Sequence, residues 1–151
     1  MRRFLGSTLI ALSAFTLGFA VSRIPAAHAA SAPLTAQVVD LSTLQSDDLS
    51  PAAPGATFRS KTLAVADGAT VAVQIGTVKK HYHADADEIQ YVLEGMGTEY
   101  LGDKIVDLRP GVLLIVPKGT PHAGSVETSG HLKLLVVKTP PQAAADTHFL
   151  P

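Results

Sequence analysis

His81-Tyr82-His83-Ala84-Asp85-Ala86-Asp87-Glu88 sets two imidazoles and a terminal carboxylate within eight residues. In an extended chain successive side chains alternate between faces, so His81 and His83 point one way and Tyr82 the other. Two imidazoles on one strand face make half of a metal site. Asp85 and Asp87 lie in the short loop that follows, and that loop can swing Glu88 back toward the same point. A second stretch, Gly111-Val112-Leu113-Leu114-Ile115-Val116-Pro117-Lys118-Gly119-Thr120-Pro121-His122, runs an apolar strand into a Pro/Gly turn. His122 then opens the next extended piece. Three histidines and one glutamate suit a first-row divalent metal, with coordination positions left for water or substrate.

The flanking sequence is all β from Phe58 onward. Thr62 to Ala66 and Thr70 to Thr77 flank Asp67-Gly68, a dipeptide that closes hairpins. Glu88 to Leu93 and Gly97 to Leu101 read as two strands joined by a turn at Glu94-Gly95. Gly102-Asp103-Lys104 makes another turn before Ile105 to Leu108, and Arg109-Pro110-Gly111 a break before Val112 to Val116. His122 to Glu127 and His131 to Lys138 read as the last pair, joined by Thr128-Ser129-Gly130. Gln142 to Pro151 reads as a loose tail. Short strands at this spacing predict a sandwich or barrel, with no internal repeat and no phosphate-binding glycine loop. Ahead of it, Thr35 to Leu41 is a candidate first strand, Ser42 to Ser50 a candidate helical turn, and Pro51 to Gly55 a connector.

Ile89, Tyr91 and Leu93 share the strand face opposite Glu88, Gln90 and Val92. If Glu88 faces a metal inside a barrel, that apolar trio faces outward and needs a cover. Val38 to Leu49 is one candidate cover, and a second subunit, making a homodimer, is the other.

The N-terminus has the form of a secretory signal peptide: Arg2-Arg3, an apolar run from Phe4 to Val21, and Ala27-His28-Ala29 as a cleavage site. An uncleaved membrane anchor is the alternative. Cleavage removes Arg2, Arg3 and Arg23, which takes the 12 basic residues to 9 against 13 acidic ones, a net charge of −4. The expected protein is therefore exported, periplasmic or secreted, with no stable membrane association after cleavage. Clustered positive charge of the kind that binds nucleic acid is missing. The chain has no cysteine, so disulfides, thiolate ligands and cysteine nucleophiles are excluded together.

The two stretches resemble the cupin superfamily, whose motifs read G(X)5HXH(X)3-4E(X)6G and G(X)5PXG(X)2H(X)3N. His81-x-His83, Glu88 and Gly95 match the first, and Gly111, Pro117-x-Gly119 and His122 match the second. Gly76 stands one residue nearer His81 than the pattern asks, and Val126 replaces the final Asn. The resemblance implies a single jelly-roll β-barrel (a double-stranded β-helix) over 57–138, after a signal peptide at 1–29 and an N-terminal arm at 30–56, with a C-terminal tail at 139–151. It implies one divalent transition metal (Fe, Mn, Zn, Ni or Cu) held by His81, His83, Glu88 and His122.

Gln90, on the face of Glu88, is a candidate for the substrate pocket, as are Tyr100 and Lys79, the last sharing the parity of His81. Solvent and packing are the competing roles for Lys79 and Tyr100. His131 and His148 are read as surface residues. Such a metal centre attracts oxyanions, enolates and chelating substrates, and acts as a Lewis acid or activates water. The expected function is a metal-dependent small-molecule enzyme, a dioxygenase or an isomerase or decarboxylase of an oxyanion substrate. The alternative is a non-catalytic protein that holds a metal or small ligand. No general base stands out in the sequence.

Overall fold

The structure, a computed structural model, describes residues 33–51, 56–66 and 68–151. The signal-peptide stretch, most of the Pro51 to Gly55 connector and Asp67 of the hairpin lie outside the described residues. The described chain is nearly all β. Its one helical turn spans Ser46–Asp48, where Asp48 Oδ2 accepts a hydrogen bond at 2.8 Å from the Gln45 backbone N–H. Nine strands follow: β1 Ser50–Pro51, β2 Phe58–Ala66, β3 Ala69–Gly76, β4 His81–Tyr82, β5 Asp87–Leu101, β6 Lys104–Leu108, β7 Leu113–Val116, β8 His122–Thr139 and β9 His148–Phe149.

Two long strands organise the sheet. β5 and β8 run antiparallel to each other along nearly their whole lengths. Their Asp87–Val92 and Leu134–Thr139 halves are flanked by β7 on one side and β3, β2 and β1 on the other. Their Gly97–Leu101 and His122–Glu127 halves are flanked by β6 and by β4 with β9. The sheet therefore folds over along a line through the middle of β5 and β8 and closes into a jelly-roll barrel.

This corrects two expected turns. Glu94-Gly95 and Thr128-Ser129-Gly130 do not end strands; they are the bulged crease where β5 and β8 bend together. Gly95 has φ +81°, and a Cβ there would lie 2.3 Å from the His131 carbonyl oxygen. Only glycine fits that approach.

Inward-facing Val92, Leu108, Leu114, Val116, Leu132, Leu134 and Val136 fill one part of the interior. Leu132 has no exposed surface, so cutting it to Ala would cost about 2–5 kcal/mol. A second cluster lies on the outer surface, where Leu41, Leu44 and Leu49 of the arm pack on Val73, Ile75, Leu63 and Leu135. Arg59 ties the arm down by donating to the Leu49 carbonyl at 3.0 Å. Thr35 to Leu41 forms no strand: no sheet edge pairs with it, and Val38 is 98% exposed.

The arm covers only part of the outer face. Tyr91 on β5 and Leu113 and Ile115 on β7 stay exposed. Opposite Tyr91 stands Leu113, and opposite Ile89 stands Ile115.

The tail is not loose. Residues His148–Phe149 pair with His81 and Tyr82 as β9, and the Asp146 carboxylate accepts the backbone N–H groups of Ala84, at 2.7 Å, and of Asp85 and Ala86, each at 3.2 Å.

Candidate metal centre

Two strands deliver the histidines. His81 lies in β4, His83 just after it, and His122 opens β8 directly opposite His81. The turn of the second motif docks on the first: Gly119 N–H donates to the His83 carbonyl at 2.6 Å, and Lys118 N–H to Asp87 Oδ1 at 2.8 Å. Ring centroids are 4.4 Å apart for His81 and His122, 4.9 Å for His81 and His83, and 5.2 Å for His83 and His122. One nitrogen from each ring lies within 4.8 Å of the other two, a group able to hold a metal ion.

Each ring is oriented by its other nitrogen. Nδ1 of His81 donates to the Lys79 carbonyl at 2.8 Å, Nδ1 of His122 to the Thr120 carbonyl at 3.0 Å, and Nδ1 of His83 to the Asp146 carbonyl at 2.6 Å. A carbonyl only accepts, so the proton sits on Nδ1 and Nε2 is the nitrogen left to coordinate. All three rings are buried. His122 Nε2 is buried, and its contact among the described residues is the long one to Glu88 Oε2 at 3.5 Å. A buried ring nitrogen without a close hydrogen bond, grouped with one nitrogen from each of two other imidazoles, suits a metal position and is otherwise costly.

Glu88 stands at the same point, on the first inward position of β5. Its Oε2 is 2.9 Å from His83 Nε2 and 3.5 Å from His122 Nε2, and its Oε1 accepts from Gln90 Nε2 at 2.9 Å. Burial alone would raise its pKa, but contacts with His122 and His83 and the charge of Lys138 outweigh that and hold it well below the usual carboxylate range. Burial, helped by the charge of His122, pushes His81 down to about 4, which keeps it neutral and ready to coordinate. His122 moves the other way. Burial lowers it, and the hydrogen bond and charge of Glu88 more than offset that.

A cavity of about 250 Å³ opens onto this cluster. It is lined by His81, His83, Glu88, Gln90, Glu99, Ser125 and Lys138, with Phe58, Val78, Leu134 and Phe149 among its apolar walls. Gln90 thus lies in the pocket, and its Oε1 is buried without a partner. Lys79 and Tyr100 are not among the lining residues. Lys79 contributes its carbonyl to His81; Tyr100 lies outside beneath Lys80, whose Nζ is 4.0 Å from its ring centre. His131 is exposed beside Glu127, while His148 stacks on Tyr82 at 4.8 Å.

Four residues of the site carry no signal in the two motifs. Lys138 Nζ lies 3.3 Å from both Glu88 Oε2 and His83 Nε2, and also donates to Gln142 Oε1. Its parity with Leu134 and Val136 on β8 is the trace it leaves in the sequence. Asp146 holds the His83 loop from the tail. Glu99 and Ser125 enter because the crease in β5 shifts the inward positions from Glu88, Gln90 and Val92 to Gly97 and Glu99. Strict alternation would have turned Tyr100 inward instead.

The donor set fits a divalent transition metal on three Nε2 atoms, with Glu88 within reach as an anionic fourth group. Residues 69–138 match the cupin domain family. An uncharacterised protein of Methanocaldococcus jannaschii is 35% identical over 72 residues, which cover 46% of this chain and 56% of that protein; the chain thus spans little more than half the length of this relative. Among solved structures, an uncharacterised Klebsiella pneumoniae protein with a double-stranded β-helix domain aligns at TM-score 0.60 and 14% identity, over 78% of this chain and 99% of that one. KdgF from Halomonas aligns at TM-score 0.54 and 21% identity, over 62% and 86%. Streptomyces PAC13 with uridine aligns at TM-score 0.52 and 18% identity, over 63% and 79%; Pac13 is described as a nucleoside dehydratase. These structural likenesses carry the fold. With both motifs folded around one trio of imidazoles, residues 69–138 of this chain form a cupin domain.

Proposed function

We propose that the protein is an exported, metal-dependent enzyme acting on a small oxyanion substrate. One observation carries this reading: one nitrogen from each of three histidines, each ring oriented by its Nδ1 bond, lies within 4.8 Å of the other two beside a cavity of about 250 Å³. His81, His83 and His122 would hold the ion, and Glu88 would complete the set. The ion would supply Lewis acidity toward a substrate oxygen. Lys138 brings a second positive charge to the same pocket, which favours an anion. Gln90 offers an unpartnered oxygen to a substrate donor. Uridine in PAC13 is a precedent for a small molecule in a barrel of this fold.

Dioxygenation and isomerisation or decarboxylation are the reaction classes such a centre serves. The second reading is a binding protein that uses the same cavity without turnover. Oxygen uptake by the iron-loaded protein, screened over small phenols, diketones and keto acids, separates them. Sustained uptake with one class marks a dioxygenase. Product formation without oxygen marks an isomerase or decarboxylase. Ligand binding with neither marks a binding protein and contradicts the enzyme reading.

Export rests on the N-terminal sequence alone, and secretion of a fusion carrying residues 1–29 tests it. The exposed apolar face of β5 and β7 supports a homodimer as the working assembly.

A further inference from the structure

We infer that Glu99 is the proton-transfer group of the cavity and that the substrate is a short 2-oxo acid whose carboxylate lies at Lys138. The inference rests on the metal-holding function proposed above and narrows it to a reaction.

Glu99 is 2% exposed and lines the same cavity as His81 and His83. Its Oε2 accepts from Ser125 Oγ at 3.3 Å. Its Oε1 is buried with no hydrogen-bond partner among the described residues. No lysine or arginine pairs with it among the described residues. A buried carboxyl with one oxygen unoccupied is a poor structural choice, because leucine would pack there without that penalty. It is a good choice for a group that must exchange a proton with something entering the cavity. Burial, helped by the charge of Glu88, pushes its carboxyl up to about 7, so both protonation states are present at neutral pH.

The cavity is also polarised. Lys138 touches Glu88 and His83, whereas Glu99 is bonded to Ser125 in the lining of the same cavity. The cavity therefore holds an ammonium and an unpaired carboxyl at different points of its lining. A 2-oxo acid matches that order, with its carboxylate at Lys138, its keto oxygen toward the trio, and its C3 hydrogens toward Glu99.

The step balances without any oxidant. Ionised Glu99 takes a proton from C3. The C–H pair becomes the C2=C3 double bond, and the carbonyl π pair moves onto oxygen to give the enolate. Protonated Glu99 then returns a proton to C3. In heavy water the returned proton is a deuteron. Ser125 acts as a positioning residue, holding Oε2 so that Oε1 faces the cavity.

The test uses pyruvate as probe and the full mature chain loaded with Zn²⁺, which is redox-inert. Proton NMR in heavy water follows loss of the methyl signal against a protein-free zinc control. Saturation-transfer NMR reports pyruvate binding, and metal content is measured on every sample. Wild type should exchange the methyl protons. Glu99→Gln should lose exchange by roughly 100-fold or more, with metal content and pyruvate binding retained. Glu99→Asp should restore part of it, and Lys138→Met should weaken binding. Undiminished exchange in Glu99→Gln overturns the proton-transfer role. No binding or no exchange in a zinc-replete wild type overturns the substrate class. A wild type that takes up no metal overturns the underlying function and this inference with it.

Discussion

At the residue scale, the three Nδ1–carbonyl bonds decide which nitrogen of each histidine faces the metal position. Removing one ring should therefore lower metal affinity by more than about 100-fold, since even loss of a supporting partner costs 10–100-fold. His122→Ala, titrated with Zn²⁺ by calorimetry, checks this; affinity within threefold of wild type would contradict it. Protons compete with metal for the same lone pairs, so bound metal should leave as the pH falls through the imidazole range. Metal held unchanged at about pH 4 would count against these ligands.

Glu99 allows a prediction with a definite sign. Its folded-state value, about 7, lies above the ordinary 4.5. The stability it contributes is then full below 4.5 and is lost as pH rises through 7. Glu99→Gln, which cannot ionise, should match wild type near pH 5 and be more stable near pH 8 by roughly 1–3 kcal/mol. Thermal melts at the two pH values would show it, and an equal shift at both would contradict it.

At the element scale, the crease is the feature on which the barrel turns. Gly95→Ala places a Cβ against the His131 carbonyl at a φ of +81° and should cost at least about 2 kcal/mol in denaturant titrations. A neutral outcome would mean the crease relaxes freely. The crease also explains what the sequence made legible and what it did not. His81, His83 and His122 were readable because alternation and motif spacing act over a few residues. A Gly-containing break reads equally as a turn or as a bulge, so one strand of 15 residues and another of 18 looked like four short ones. The parity change that brings in Glu99 was hidden for the same reason. Asp146 was hidden by distance, because it bonds backbone groups about 60 residues earlier. Its carboxylate fixes the loop behind His83, so Asp146→Ala should weaken metal binding by on the order of 10-fold while the fold persists. Far-ultraviolet circular dichroism with a zinc titration distinguishes that from unfolding.

At the scale of the whole molecule, the arm covers only part of the outer surface, and the proposed second subunit would cover the rest. The arm covers Val73, Ile75 and Leu135. Leu113, 56% exposed, and Ile115, 64% exposed, remain beside Tyr91, which is more contiguous apolar surface than a monomer needs. Sedimentation equilibrium of the mature protein should give a dimer, and Ile115→Lys a monomer; a wild-type monomer would leave that face without its proposed role. All of the proposed chemistry depends on one ion in the barrel. The most direct measurement is therefore elemental analysis of the untagged mature protein after dialysis with mixed Mn²⁺, Fe²⁺, Ni²⁺ and Zn²⁺. About one equivalent of divalent metal per chain in the wild type, and almost none in His83→Ala, is the predicted result; a wild-type chain that emerges metal-free, or a variant that retains its full equivalent, would contradict it.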